Sequence, residues 1–281
     1  MAANLTTGDL LREGLRRLAP ALENGHLDAQ LLLAHVLRKP RTRIQSHPDE
    51  VRAPPERDAY LALIERRARG EPLAYLIGSK EFWSLRLGVD PGVLVPRPET
   101  ELLVERALAL RPDDTGEVLD LGTGSGAIAL ALAQERPRWH ITATDISAHA
   151  LRVARRNATD LHATQVEFLA GDWFAPLANR RFHLVLSNPP YVAGGDAQLQ
   201  APPLRFEPRV ALTPGDDGMA HLRILIRAAP HHLERGGWLL LEHGATQAAE
   251  VARELLVRGL SHIRSHRDLA GHERMTEARW S

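Results

Sequence analysis

The chain has 281 residues, of which 44% are hydrophobic; it has no cysteine, and its basic and acidic side chains balance at 35 each. Without cysteine there is no disulfide, thiolate metal site or thiol nucleophile, which fits a reducing cytoplasm. The zero net charge leaves no basic excess of the kind that electrostatic nucleic-acid binding uses. At ~100–200 residues per domain the length suits two domains, and nothing in the composition demands a partner, so a monomer is expected.

The N-terminal stretch mixes Asp9, Arg12, Glu13, Arg16 and Arg17 among its leucines and lacks the apolar core of a signal peptide. No run approaches the ~20 apolar residues of a membrane span. From Thr7 to about Gly78 the apolar positions recur at helical spacing, as in Leu10, Leu11, Leu15 and Leu18, then Leu27, Leu31, Leu32, Leu33, Val36 and Leu37. This predicts a helical bundle over 1–78 with breaks at Pro20, Pro40, Pro48 and Pro54-Pro55 and a last long helix over Tyr60 to Arg69. Two basic clusters, Arg38 to Arg43 and Arg66 to Arg69, read as solvated faces. Residues 79–96 read as a β-hairpin linker that turns at Val89-Asp90-Pro91-Gly92. Pro96 to Thr100 then opens a helix over Glu101 to Leu110, with acidic residues near its N-terminus.

Beyond Gly116 strand runs alternate with helical patterns. Strands are predicted over 117–121, 139–145, 166–170, 182–187, 237–242, 262–267 and 275–280, with helices over 127–136, 148–160, 219–234 and 246–258. This alternation predicts an α/β domain over 97–281 with a mostly parallel sheet covered on both faces. The last two strands are joined by a short link, so one of them should run antiparallel.

The strand ends carry the chemistry. Gly122-Thr123-Gly124-Ser125-Gly126 follows the first strand of this sheet, where glycines allow a tight turn and close approach to a ligand. Its spacing is G-x-G-x-G, and Asp120 just before it would oppose a pyrophosphate but favour a cation. S-adenosylmethionine, with an amino group, a sulfonium and no phosphate, fits better than a dinucleotide. Asp145 ends the second strand and can accept from both ribose hydroxyls. Asp172 follows the third and can accept from an adenine amino group, while Trp173 offers a flat apolar face to the purine. The histidines, His243 included, show neither ligand nor dyad spacing, and no metal is expected.

Asn188-Pro189-Pro190-Tyr191 follows the fourth strand and forms a rigid polar turn. The Asn side chain offers one carbonyl acceptor and an NH2 donor pair, and each proline lacks an N–H but keeps its carbonyl. Such a turn suits a planar amide or amino group. Asp120, Asp145, Asp172 and Asn188 thus end four successive strands at one crevice.

These residues resemble the Rossmann-like, seven-stranded S-adenosylmethionine-dependent methyltransferases that carry Asn-Pro-Pro-Tyr. More narrowly, the chain is similar to the bacterial peptide chain release factor N5-glutamine methyltransferases, through Glu81-Phe82-Trp83-Ser84, Val95 to Glu101, Asp120 to Gly126, Gly171-Asp172-Trp173, Asn188 to Tyr191, Arg205-Phe206-Glu207-Pro208 and Leu241-Glu242-His243-Gly244. The resemblance implies methyl transfer from S-adenosylmethionine to the side-chain amide nitrogen of the Gln in the Gly-Gly-Gln motif of class I release factors. It implies cofactor binding by Gly122 to Gly126, Asp145 and Trp173, with Asn188 at the boundary between cofactor and substrate, and a glutamine held by Asn188, Pro189, Pro190 and Tyr191. It also makes the 1–78 bundle a docking module for the substrate protein. Gln200 to Leu204 lacks the acidic residue expected there, which weakens the reading of 192–204 as a peptide-docking loop.

Two other readings use the same residues. An adenine amino group in DNA or RNA is also a planar NH2, although base flipping would be needed and the zero net charge opposes direct nucleic-acid binding. A non-catalytic cofactor-binding interaction protein would have no use for the amide-clamping turn.

Overall fold

The computed structural model describes residues 5–19, 24–111, 113 and 115–281. They form two compact units, one of residues 5–78 with 200–206 and the other of 79–199 with 207–281.

The first unit is helical: α1 (Thr7–Leu18), α2 (Gly25–Leu37), α3 (Arg41–Ser46), α4 (Pro54–Ala68) and α5 (Leu73–Ile77). Thr6 starts α1 through a capping box, its hydroxyl accepting from Asp9 N while the Asp9 carboxylate accepts from Thr6 N. Leu10, Leu18, Leu32, Leu33, Ile44, Tyr60 and Ile64 are fully buried between the helices. Gly14 permits that packing, because a Cβ there would stand 2.0 Å from the Tyr60 hydroxyl. The Pro54-Pro55 pair, expected as a break, is the first turn of α4, where the missing N–H groups have no helical partner to lose. The break expected at Pro20 lies outside the described residues. Arg66 and Arg67 are not a free basic face: Arg66 pairs with Glu71, and Arg67 with the buried Asp28 at 2.7 Å.

Residues 200–206 depart from the expectation of one unbroken unit over 97–281. They group with the helices because Pro202 fills the space left open by Gly70 and the Arg205 guanidinium donates to the Arg69 carbonyl.

The second unit begins with a hairpin, β1 (Ser79–Phe82) and β2 (Leu85–Gly88), and continues with α6 (Glu101–Leu110). The turn falls at Trp83-Ser84 and not at 89–92. Both turn residues have positive φ, 50° and 59°, as a two-residue turn matched to strand twist requires, yet neither is the Gly, Asn or Asp that usually signals one. Glu101 and Glu135 hold Trp83 there, accepting from its backbone and indole N–H groups at 2.8 Å each.

There follow β3 (Gly116–Leu121), α7 (Ala127–Glu135), β4 (Trp139–Asp145), α8 (Ala148–Asp160), β5 (Val166–Ala170), β6 (Phe182–Ser187), α9 (Ala220–His232), β7 (Leu233–Glu242), α10 (Ala248–Val257), β8 (Ser261–Arg267) and β9 (Glu273–Arg279). The expected seven-stranded α/β sheet is present, in the order β5-β4-β3-β6-β7-β9-β8 with β9 antiparallel to both neighbours. Its central strands are buried on both faces, and the pleat divides their side chains. Val118, Leu184, Leu186 and Leu240 face the core shared with α6, α7 and the hairpin. Leu119, Leu121, Val185, Leu239 and Leu241 face α9 and α10. No helix among the described residues is long and apolar enough to cross a membrane.

Asn157 on α8 ties three pieces of this unit together. Buried at 2% exposure, it accepts from Gly88 N at 2.8 Å and donates to Gly88 O at 3.0 Å and Ser125 O at 2.8 Å. Asn157→Ala should destabilise the protein by about 2–4 kcal/mol, since it strands the buried Gly88 N–H and two carbonyls. Urea unfolding should show a lower midpoint with unchanged slope.

Candidate functional site

The carboxyl ends of the parallel strands are held level by register. Leu121 pairs with Thr144 on one side and Ser187 on the other, and Ser187 pairs with Leu241. Neighbours of β3 lie on both its sides while the chain order reverses there, which opens a crevice beyond the strand ends. That crevice holds a cavity of ≈ 280 Å³.

The glycine loop is its floor. Gly122, Gly124 and Gly126 have φ of 73°, 57° and 87°, a region costly for residues with a Cβ. Gly122 N and Thr123 N both donate to Thr144 O, at 2.9 and 3.0 Å, and Gly124 N donates to Asp145 Oδ2 at 2.9 Å. A Cβ at Gly122 would meet the Trp173 ring at 3.2 Å, so the bare backbone there lets the indole lie close. Thr123 and Ser125 are buried behind the loop, and Gly126 begins α7.

Gly122, Gly124, Asp145, Asp172, Trp173, Asn188 and Pro190 line the cavity. Thr123, Ser125, Gly126, Pro189 and Tyr191 stand behind that lining. Asp145 accepts from Ser147 N at 2.8 Å as well as from Gly124 N, and burial raises its carboxyl above the usual range. It does not cap α8; the Ser147 hydroxyl does, accepting from Ala150 N. Asp172 is exposed. Trp173 has φ 49° and meets the His221 ring edge-on at 5.2 Å between centroids.

Asp120 departs from expectation. Its pleat position is that of Val118, so it points beneath the loop toward the α7 side and is fully buried. It accepts from the Thr123 hydroxyl at 2.7 Å, and burial pushes its carboxyl up to about 7. Its contribution is to the loop's shape and not to the cavity wall.

Among the described residues no lysine or arginine lines the cavity. Ile146 and Val210, 64% and 58% exposed, give it apolar sides. Carboxylate acceptors without a cationic partner oppose a phosphate and suit a diol and a positive centre. Side chains absent at Gly122 and Gly124 leave room for such a ligand against the backbone. These features fit S-adenosylmethionine.

Residues 97–204 match the methyltransferase small domain and residues 9–78 the PrmC N-terminal domain. The release factor glutamine methyltransferase of Vibrio cholerae is 47% identical over 251 residues, spanning 89% of this chain and 88% of that protein. That of Shewanella oneidensis is 40% identical over 280 residues, spanning 100% and 98%. The chain belongs to the release factor glutamine methyltransferase family. A methyltransferase from Pyrococcus furiosus shares its fold, with a TM-score of 0.55 at 20% identity over 76% of this chain and 97% of that one.

In this member of the release factor glutamine methyltransferase family, sequence reasoning missed four buried or half-buried partners of the site. Asn188 Nδ2 donates to Thr100 Oγ1 at 3.0 Å, Thr100 donates to Glu242 Oε2 at 2.7 Å, and the Tyr191 hydroxyl donates to Glu242 Oε1 at 3.1 Å. Glu242 ends the apolar run Leu239-Leu240-Leu241, the same strand-end signature that singled out Asp145. His221, set among scattered histidines, lines the cavity; burial lowers its pKa, with Asp172 opposing. Glu207, its side chain wholly buried, accepts from the Arg97 guanidinium and from Val95 N at 3.2 Å. This fastens the loop carrying Val93 and Leu94 to the segment carrying Pro208 and Val210, two walls of the cavity.

Burial outweighs Arg97 and holds the Glu207 carboxyl above its usual range. Removing only the cation should therefore be worse than removing both charges: Arg97→Met is expected to cost about 3–5 kcal/mol, and Arg97→Met with Glu207→Met distinctly less. Denaturant melts of the single and double variants check this.

Proposed function

We propose that this chain transfers a methyl group from S-adenosylmethionine to the side-chain amide nitrogen of the Gln in the Gly-Gly-Gln motif of class I peptide chain release factors. The observation that carries the reading is Asn188 on the wall of the cavity that also holds Asp145 and Asp172. It is supported by family membership along nearly the whole chain.

Asp145 holds the two ribose hydroxyls, each of its oxygens keeping a lone pair beyond the one given to Ser147 N or Gly124 N. Asp172 accepts from the adenine amino group, and Trp173 lies against the purine. Gly122 to Gly126 carry the backbone close to the methionine part of the cofactor. Bound S-adenosylmethionine supplies an electrophilic methyl group.

An amide nitrogen is a poor nucleophile because its lone pair is delocalised into the carbonyl. The Asn188 side-chain carbonyl and the Pro189 main-chain carbonyl accept its two hydrogens and turn the lone pair toward the methyl carbon. Pro190 stiffens the turn, and Tyr191 is anchored by its hydroxyl on Glu242. Fixing the reacting atoms in line can supply as much as roughly 7–11 kcal/mol in favourable cases. The alkylated amide nitrogen is acidic enough to lose its proton to water, so no general base is assigned. The helical unit, none of whose described residues lines the cavity, is assigned to docking the substrate protein.

Incubation with labelled S-adenosylmethionine and either purified release factor or nucleic acid, followed by mass spectrometry, tests the reaction: label on the Gln of Gly-Gly-Gln supports it, and label on nucleic acid alone sinks it. Asn188→Ala should lower kcat about 10²–10³-fold while leaving cofactor affinity near that of the wild type. Asp145→Ala should instead weaken cofactor binding at least about 30-fold, through loss of two charge-assisted hydrogen bonds; calorimetric titration showing unchanged affinity would remove its ribose role.

A further inference from the structure

Behind Asn188 lies a chain of hydrogen bonds that ends on a buried carboxylate. Both Glu242 oxygens are engaged, Oε2 by the Thr100 hydroxyl and Oε1 by the Tyr191 hydroxyl, and the residue is 2% exposed. Strand register brings these groups together: Ser187 pairs with Leu241, so Asn188 and Glu242 are the next residues on adjacent strands. Thr100, 5% exposed, enters from the single turn that precedes α6.

An ionised carboxylate only accepts, and a threonine hydroxyl has one proton to give. With Glu242 ionised, that proton points at Oε2 and Thr100 meets Asn188 as an acceptor. Only the NH2 end of the Asn188 amide satisfies an acceptor; the flipped amide would set oxygen against oxygen at about 3 Å. The carbonyl end is then the one left for the cavity that Asn188 lines. Tyr191 works in the same direction, since burial and the Glu242 charge raise its pKa and keep it a donor.

We propose that Glu242, acting through Thr100, is a positioning residue that fixes the polarity of the Asn188 amide, so that its carbonyl and not its NH2 meets the substrate nitrogen. The inference rests on the reading of Asn188 as the clamp for that nitrogen. Reversed polarity would set the Asn188 NH2 against the substrate NH2, donor against donor, and the lone pair would lose its aim.

Protonation of Glu242 removes the constraint. A neutral acid can donate to Thr100, which is then free to donate to Asn188 and to accept the flipped amide. The groups facing Glu242 are Thr100 and Glu99 before α6, Tyr191 after β6 and Arg274 on β9; His243, next in the chain, turns away to Thr276 at 2.8 Å. Burial pushes the Glu242 carboxyl up to about 7, the Glu99 charge adds to the rise, and the two hydrogen bonds and Arg274 oppose it. Ionised Glu242 is the competent form, so activity is present above that pH and is lost as pH falls through it.

The test compares kcat, KM for release factor and calorimetric cofactor affinity across wild type, Thr100→Val, Thr100→Ser, Glu242→Gln and Asn188→Ala. Thr100→Val should lower kcat about 10–100-fold with cofactor affinity retained, and Thr100→Ser, which keeps the hydroxyl, should recover most of the loss. Wild-type kcat should fall about tenfold per pH unit on the acid side of about 7, and Glu242→Gln should flatten that limb at a reduced plateau. Thr100→Val within about twofold of wild type, or an acid limb kept in Glu242→Gln, would overturn the inference. If these variants fail to bind cofactor, the wild-type profile decides: kcat unchanged between about pH 5.5 and 8 overturns it. Normal turnover in Asn188→Ala would instead sink the clamp reading itself, whereas an inactive Asn188→Ala beside an active Thr100→Val removes only the role of Glu242.

Discussion

Register across four parallel strands is the constraint on which the site depends. Leu121, Thr144, Ser187 and Leu241 lie level in β3, β4, β6 and β7, and the residues that follow them are the glycine loop, Asp145, Asn188 and Glu242. A slip of one residue in any strand would exchange its two faces. Leu184 and Leu186 would then leave the core under α6 and α7 for the one under α9 and α10. The site is kept in alignment because the hydrophobic cores would otherwise be rebuilt. A polar constellation with little stabilising energy of its own is thereby held by apolar packing on both sides of the sheet.

Pleat and depth then give similar carboxylates different work. Asp145, half-buried and bonded to two backbone N–H groups, is a fixed acceptor facing the cavity. Asp172 is exposed and free to meet a ligand. Asp120 and Glu242 are turned inward beneath the strand ends, and burial pushes both up to about 7. Asp120 accepts from the Thr123 hydroxyl through Oδ2 and so shapes the loop, while its Oδ1 is buried without a hydrogen-bond partner among the described residues. Glu242 spends its own on two hydroxyls that lead back to the Asn-Pro-Pro-Tyr turn. Composition counts these four residues alike, and only their depth and pleat position separate them.

What the sequence disclosed follows the same division. The periodic elements were legible: β4, α8, β5 and β6 run as expected because each is an unbroken apolar pattern with clear punctuation. The hairpin turn was not, since Trp83-Ser84 lacks the usual turn residues and is held by Glu101 and Glu135, distant in the chain. Pro54-Pro55 suits a break and a helix start equally; here it starts α4, with Glu56 accepting from Ala53 N at 3.1 Å. Residues 200–206 join the helical unit through Pro202 and Arg205, a pairing that no local pattern announces. In the site, the cavity-lining Asp145, Asp172 and Asn188 were legible from strand ends. The side chains hydrogen-bonded behind Asn188 were not: Thr100 reads as the entry to a helix and Glu242 as the last residue of a strand, and the bond between them spans 142 positions.

A buried carboxylate is an expensive way to satisfy two hydroxyls, because taking its charge out of water costs several kcal/mol that neutral hydrogen bonds do not fully return. A glutamine at position 242 would avoid that cost and still offer polar contacts to Thr100 and Tyr191. It would also be ambiguous, since an amide donates at one end and accepts at the other and can turn over. The ionised carboxylate has no donor to offer, so it leaves one arrangement of protons along Thr100 and Asn188. Direction is what the charge secures, and on the proposed reading direction matters because Asn188 is an amide that would meet an amide. Two such groups can meet productively in one sense only, and under this proposal the choice between senses would be made at Glu242, which does not line the cavity.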